Sequence, residues 1–310
     1  MKAPFLAPLG LRGARLLGAA AIAGAAIGLG FPGGTAPGDA ADRFVAGGPA
    51  TERAPLPSER AAPVLAAAST ARLRLGLPEP AAARVDRVTD RFSGTTYDEV
   101  TGTDKAGRSL HLQRFDERGR LVGAVSFGWQ SRGGRPMPDA ESARARGSRL
   151  AADLGLGVSG APDVRQDPDD SGWTIAWPRV VDGIAVLGDG VRVDLWPDGR
   201  VHAVVRAERP LASRPSSLLD EATARQRAMA TLGDLFGSRA GQTMIAAVAL
   251  GWVAPNDAFE PTAPDAPGPT LRLAWIVEAR TRGELAEGLR AVKIFLDAGT
   301  GALLGGDVLR

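Results

Sequence analysis

Two histidines, no cysteine, 35 acidic and 37 basic side chains are the groups from which this 310-residue chain could build a chemical site. Each narrows the options. Without sulfur there is no disulfide framework, no thiol nucleophile and no cysteine-ligated zinc, and two imidazoles cannot supply a three-histidine metal centre. His111 and His202 fall on the outward faces of predicted strands, beside Gln113 and Arg206, where a solvated or hydrogen-bonded ring is the simple expectation. No His-Glu-x-x-His string occurs, so two zinc ligands and a general base do not share a helix face. No Gly-x-Ser-x-Gly occurs either, since in Gly237-Ser238-Arg239-Ala240-Gly241 the serine is misplaced. No glycine-rich phosphate loop joins a strand to a helix. The carboxylates are dispersed among arginines without a spacing that sets out an acid and a base. An enzyme is therefore not expected, and neither a metal nor a cofactor is.

Asp167, Asp169 and Ser171 precede Gly172 in the order that opens a calcium loop. The twelfth position, which needs a bidentate glutamate, is Pro178, so an acidic hairpin turn is expected instead. The remaining candidates are contacts rather than catalysts. Trp196 lies on the strand face opposite Val191, Val193 and Leu195, alongside Arg192 and Asp194, and Arg206 is on the next strand. Tryptophan and arginine are enriched at binding hot spots, so Trp196, Arg192 and Arg206 form the expected partner-binding set. The alternative places Trp196 under a neighbouring loop, as a packed residue.

The elements that must position these residues follow a clear order. Residues 1–15 carry Lys2, Arg12 and Arg15 and no acid, and Leu16 to Leu29 is an uncharged Ala/Gly/Ile/Leu run. A positive start followed by a short apolar run describes an export leader, too short and too glycine-rich for an ordinary membrane span. Residues 1–36 are read as a signal peptide, with an N-terminal anchor through 16–31 as the alternative, and either puts the body outside the cytoplasm. Without those three bases the charge is close to balance, so the net +2 is no argument for nucleic acid. Residues 37–83 are rich in Ala and Pro and are read as a disordered tether, with a short helix near Val64 to Leu75.

From Arg84 the pattern alternates apolar and polar residues between glycine turns, which predicts strands at 84–92, 96–103, 109–115 and 121–129. Asp139 is placed to cap a helix running to Leu154. Strands follow at 173–180, 184–187, 191–196 and 200–207, with Asp182-Gly183, Asp189-Gly190 and Pro197-Asp198-Gly199 as hairpin signals. A second helix fits 218–236, followed by strands at 244–253, 271–279, 291–297 and 302–308. The order helix, Ala176-Trp177 strand, Val191–Trp196 strand matches helix, Ala274-Trp275 strand, Val292–Leu296 strand. Five prolines between Pro255 and Pro269 mark an inserted linker in the second copy. The expected fold class is α+β: a β-meander and first helix-on-antiparallel-sheet module over 84–209, then a second such module over 217–310.

The acidic helix starts Asp139-Ala140-Glu141-Ser142-Ala143 and Asp220-Glu221-Ala222, the strand Leu273-Ala274-Trp275-Ile276-Val277 and the ending Asp297-Ala298-Gly299-Thr300-Gly301 are similar to those of PepSY-like domains. These are related to the propeptides of thermolysin-type and fungalysin-type secreted proteases. The first copy departs from the pattern, with Trp196-Pro197-Asp198-Gly199-Arg200 at the equivalent turn. The resemblance implies an extracytoplasmic, non-catalytic module that binds or restrains a peptidase or assists folding of a partner. Peptide or protein is thus the expected partner class, captured by an exposed sheet edge. An envelope-associated spacer without a saturable partner is the alternative.

Overall fold

A computed structural model describes residues 51–90, 95–127, 137, 139–166, 172–256 and 270–309. The leader over 1–36 and the tether's first part, 37–50, lie outside the described residues. Residues 51–83 hold a strand, a helix and the start of a second strand where a disordered tether was expected. Strand β1 (Thr51–Pro55) pairs antiparallel with β2 (Ala82–Asp90), and between them helix α1 (Ser58–Leu75) ends at Gly76, whose φ of 66° is left-handed. Ala68, Ala71 and Leu75 share one face of α1 and are buried. Small alanines carry that stripe, so an Ala/Pro-rich composition concealed it.

The meander continues as β3 (Thr95–Thr103), β4 (Ser109–Phe115) and β5 (Leu121–Ser126), each antiparallel to the strand before it. Its two later turns share a design: Asp104 and Asp116 each accept two backbone N–H groups and bind the arginine four residues on, while Gly107 and Gly119 supply positive φ. Helix α2 (Ala140–Asp153) begins at Asp139, whose carboxylate accepts the Ser142 N–H at 2.8 Å. Then come β6 (Asp163–Gln166), β7 (Trp173–Val181), β8 (Ile184–Leu195) and β9 (Val201–Ala207). Helix α3 (Glu221–Phe236) is capped by Asp220, which accepts the Thr223 N–H at 2.7 Å. It leads to β10 (Thr243–Val253), β11 (Arg272–Thr281), β12 (Ala291–Asp297) and β13 (Leu303–Leu309).

These strands do not make two helix-on-sheet modules. They form one 13-stranded mixed sheet in the order β1-β2-β3-β4-β5-β9-β8-β10-β11-β12-β13, with β7 on β8 and β6 on β7, and among the described residues only three α-helices. The expected α+β two-module class is overturned at one strand. Asp189-Gly190, a hairpin signal by type, lies inside β8 as a bend, with Gly188 and Gly190 at φ 76° and 126° and a register shift opposite, between Pro178 and Val180. Beyond the bend, Gly190–Leu195 pairs with β9, while Val186 makes a parallel bridge to Trp252 of β10. One continuous strand thus serves both halves of the sheet.

Helices α1 and α2 cover one face of the first half. Trp173, Ile175 and Trp177 of β7 and Val191, Val193 and Leu195 of β8 point into that core, as period two requires, together with Val100, Phe115, Leu150 and Val204. Ala228 and Leu232 of α3 pack on Val277, Ala279, Val292 and Ile294 in the second half.

Candidate functional site

The expected contact set does not assemble as an exposed patch. Trp196 is only 5% exposed, its ring stacked on His202 with centroids 3.9 Å apart. Period two could not say that its face would be covered. Arg192 pairs with Asp194 at 2.9 Å, and Asp194 also accepts the Thr174 hydroxyl at 2.8 Å. Arg206 stands opposite Val191 in the ladder and pairs with Glu208 at 3.5 Å, whereas Arg192 stands opposite Val205. Arg192 and Arg206 therefore point to opposite sheet faces. Asp167 and Asp169 lie outside the described residues.

His111 is not on an outward face. It is 1% exposed. The ring lies over Gly102, its cross-strand neighbour, where a Cβ would sit 2.5 Å from Cε1. Burial pushes the imidazole below its ordinary value of 6.5, Arg72 of α1 adds to this, and the Pro78 carbonyl and Glu79 oppose it without prevailing. The folded state therefore favours the neutral ring more than the unfolded chain does. Below pH 6.5 the unfolded chain takes up a proton that the folded chain resists, so stability falls with pH in that window, by at most about 1.4 kcal/mol per pH unit. His111→Gln is expected to flatten the change in urea midpoint between pH 7 and pH 5. An unchanged slope would show that other groups carry it.

The buried carboxylates are structural. Glu99, fully buried, lies between Arg53 at 2.7 Å and Arg114 at 2.8 Å, and Asp86, directly across the ladder, is held by Arg53 and by Arg84 at 2.8 Å. Two like charges facing each other require these arginines. Asp189 is likewise enclosed by Arg179 at 3.1 Å and Arg209 at 2.6 Å. Asp297 caps its turn, one oxygen accepting the Gly299 and Thr300 N–H groups and the Thr300 hydroxyl, the other paired with Arg272 at 2.6 Å. Burial would raise its pKa, but Thr300, Arg272 and Gly299 together hold it below the ordinary carboxylate value. A cleft of about 230 Å³ borders this turn, between Ser213, Pro215 and Arg272. It is smaller than a drug-sized ligand needs, and its one cation is already engaged. Among the described residues no group of three or more His, Asp or Glu side chains is placed to hold a metal ion.

What the structure adds is an open sheet edge. β10 pairs with β11 over its whole length, Thr243 to Val253, but meets β8 only at Trp252. From Met244 to Leu250 its other edge has no ladder partner among the described residues. This stretch, Met-Ile-Ala-Ala-Val-Ala-Leu, carries no charge, and Met244 is 58% exposed, with Ala246, Ala247 and Ala249 also exposed. Long uncharged edges are normally covered or guarded by Lys or Pro. Here a bulge at Ala246, between the paired Ile245 and Ala247, is the one blunting device. The edge of β13, by contrast, is closed in its middle, because the Asn256 side chain both donates to the Gly306 carbonyl at 3.0 Å and accepts its N–H at 2.9 Å. A uniformly apolar strand reads in sequence as a central one, so no local signal disclosed that one edge of β10, from Met244 to Leu250, has no ladder partner among the described residues.

No family model and no curated protein matches the chain. Among solved structures it is similar to the Bacillus megaterium YpeB C-terminal domain, at 12% identity and a TM-score of 0.44, over 83% of this chain and 99% of that one.

Proposed function

We propose that the chain is an extracytoplasmic, non-enzymatic binding protein that captures an extended segment of a peptide or protein partner by strand addition along β10. The observation that carries this reading is the unpaired, uncharged edge from Met244 to Leu250. Backbone N–H and C=O groups at such an edge have water as their alternative partner, and an extended segment replaces that water with a ladder. The engagement of the buried carboxylates by arginines and turn N–H groups supports a non-catalytic role. The similarity of the Asp220–Ala222 helix start and the Asp297–Gly301 turn to PepSY-like domains supports a peptidase-inhibitory or chaperone-like role in particular. Trp196 is not retained as a contact, because stacking on His202 takes up its ring.

The test uses the full chain against a panel of secreted metallopeptidases, reading inhibition together with amide exchange of β10. Saturable inhibition with slowed exchange at 244–250 is the expected result. Ala247→Lys with Ala249→Lys places two charges beside the edge at exposed positions and is expected to weaken capture about tenfold or more at unchanged melting temperature. Inhibition that leaves β10 exchange untouched would move the site elsewhere. A folded chain that engages none of the panel would favour the envelope spacer.

A further inference from the structure

The two faces of β10 differ along its open edge, and the difference specifies what kind of segment fits. Opposite the bulge the register places Ile245 across from Ala279, Val248 across from Val277 and Leu250 across from Trp275, all on the face that carries α3. Ile245, Val248 and Phe236 at the end of α3 are half-buried and belong to the same apolar cluster as Ala228 and Leu232. Met244, Ala247 and Ala249 stand across from Arg280, Glu278 and Ile276 on the other face. That face is exposed at Met244 and presents only methyl groups at 247 and 249. An added strand therefore meets an apolar shelf on one side and small side chains bordered by charge on the other.

Resting on the strand-addition reading, we infer that β10 selects extended segments of about seven residues whose apolar side chains recur at every second position. Those side chains lie over Ile245, Val248, Leu250 and Phe236, which completes the burial that β11 and α3 leave partial. The intervening residues lie beside Ala247, Ala249 and Met244, where polar side chains keep their water. An exposed amphipathic strand, of the kind an incompletely folded protein or an unpaired edge presents, has this pattern. A continuous apolar run does not, since half of its side chains would stay in solvent. Small side chains at 246, 247 and 249 also let the incoming backbone approach without obstruction.

Two fluorescein-labelled peptides of one composition, Thr-Val-Thr-Val-Thr-Val-Thr and Thr-Thr-Val-Val-Val-Thr-Thr, separate pattern from hydrophobicity. Anisotropy with the full chain is expected to show the alternating peptide binding about tenfold tighter, with slowed amide exchange at 244–250. Val248→Thr, which keeps the strand's branching, is expected to remove most of that preference, while Leu73→Thr, an exposed residue of α1 outside the edge, leaves it intact. Equal binding of both peptides with β10 protected would overturn the side-chain selection and leave strand addition standing. Binding of neither would overturn the strand-addition reading itself. A chain that sediments as a dimer with 244–250 already protected would assign the edge to a second copy and overturn the inference.

Discussion

Replacing Gly190 by alanine is expected to cost about 3 kcal/mol or more of unfolding free energy, or to abolish cooperative folding. Its φ of 126° is a conformation that side-chain-bearing residues rarely adopt. A Cβ there would overlap the Trp177 carbonyl oxygen and lie 2.9 Å from the Arg179 nitrogen and 3.1 Å from the Pro178 carbonyl carbon. All three are backbone atoms of β7, so relief requires moving a strand rather than rotating a side chain. Gly233 provides the contrast, because it sits within α3 with nothing within 4 Å of its would-be Cβ. Gly233→Ala is expected to stabilise by about 0.5–1 kcal/mol. Tryptophan-monitored guanidinium unfolding of both variants decides the matter. A loss below about 1 kcal/mol at Gly190 would mean that β8 does not bend there as described.

Removing the neighbouring carboxylate is expected to have an effect of similar size. Asp189 is fully buried, accepts the Arg209 backbone N–H at 2.7 Å, and pairs with the guanidinium groups of Arg209 and Arg179. The arginines reach further, Arg179 to the Arg209 carbonyl and Arg209 to the Leu187 carbonyl, each at 2.7 Å. This knot ties the end of β9 and the segment leading to α3 onto the bend of β8. Asp189→Ala leaves two poorly hydrated cations beside each other and is expected to cost about 3–5 kcal/mol. Arg209→Met in the same chain is expected to recover part of that loss, since the two residues share one network. The single and the double variant are each expected to shift one transition rather than split it. Two separated transitions would show that the halves of the sheet fold independently, contrary to their shared strand.

The bend also accounts for the single sheet, which local signals did not specify. Asp189-Gly190 has the residue types of a two-residue hairpin, and a type I′ hairpin turn and a glycine bend within a strand both use positive φ. The local chemistry is the same in either case. Which one forms depends on whether β9 and β10 are available to pair with the two halves of β8, and those strands lie up to about 60 residues downstream. Two modules were thus a consistent reading of local signals. His111 failed for a related reason: it shares the sheet face of core Val100, and the end of α1 with the segment after it, Arg72 to Pro80, lies against that face.

Residue type and spacing alone determined the features that depend on near neighbours. The cap at Asp139, the Asp182-Gly183 and Pro197-Asp198-Gly199 turns and the period-two strands all involve hydrogen bonds or periodicities within a few residues, whereas the second helix starts at Glu221 under an Asp220 cap rather than at 218. Tertiary structure alone decided the strand order, the cover over Trp196 and the open edge of β10. Each of these turns on which distant segment lies alongside, and an unpaired backbone group has the same sequence as a paired one. The proposed site is of this second kind, since Met244 to Leu250 becomes a binding edge only because β8 begins too late to cover it.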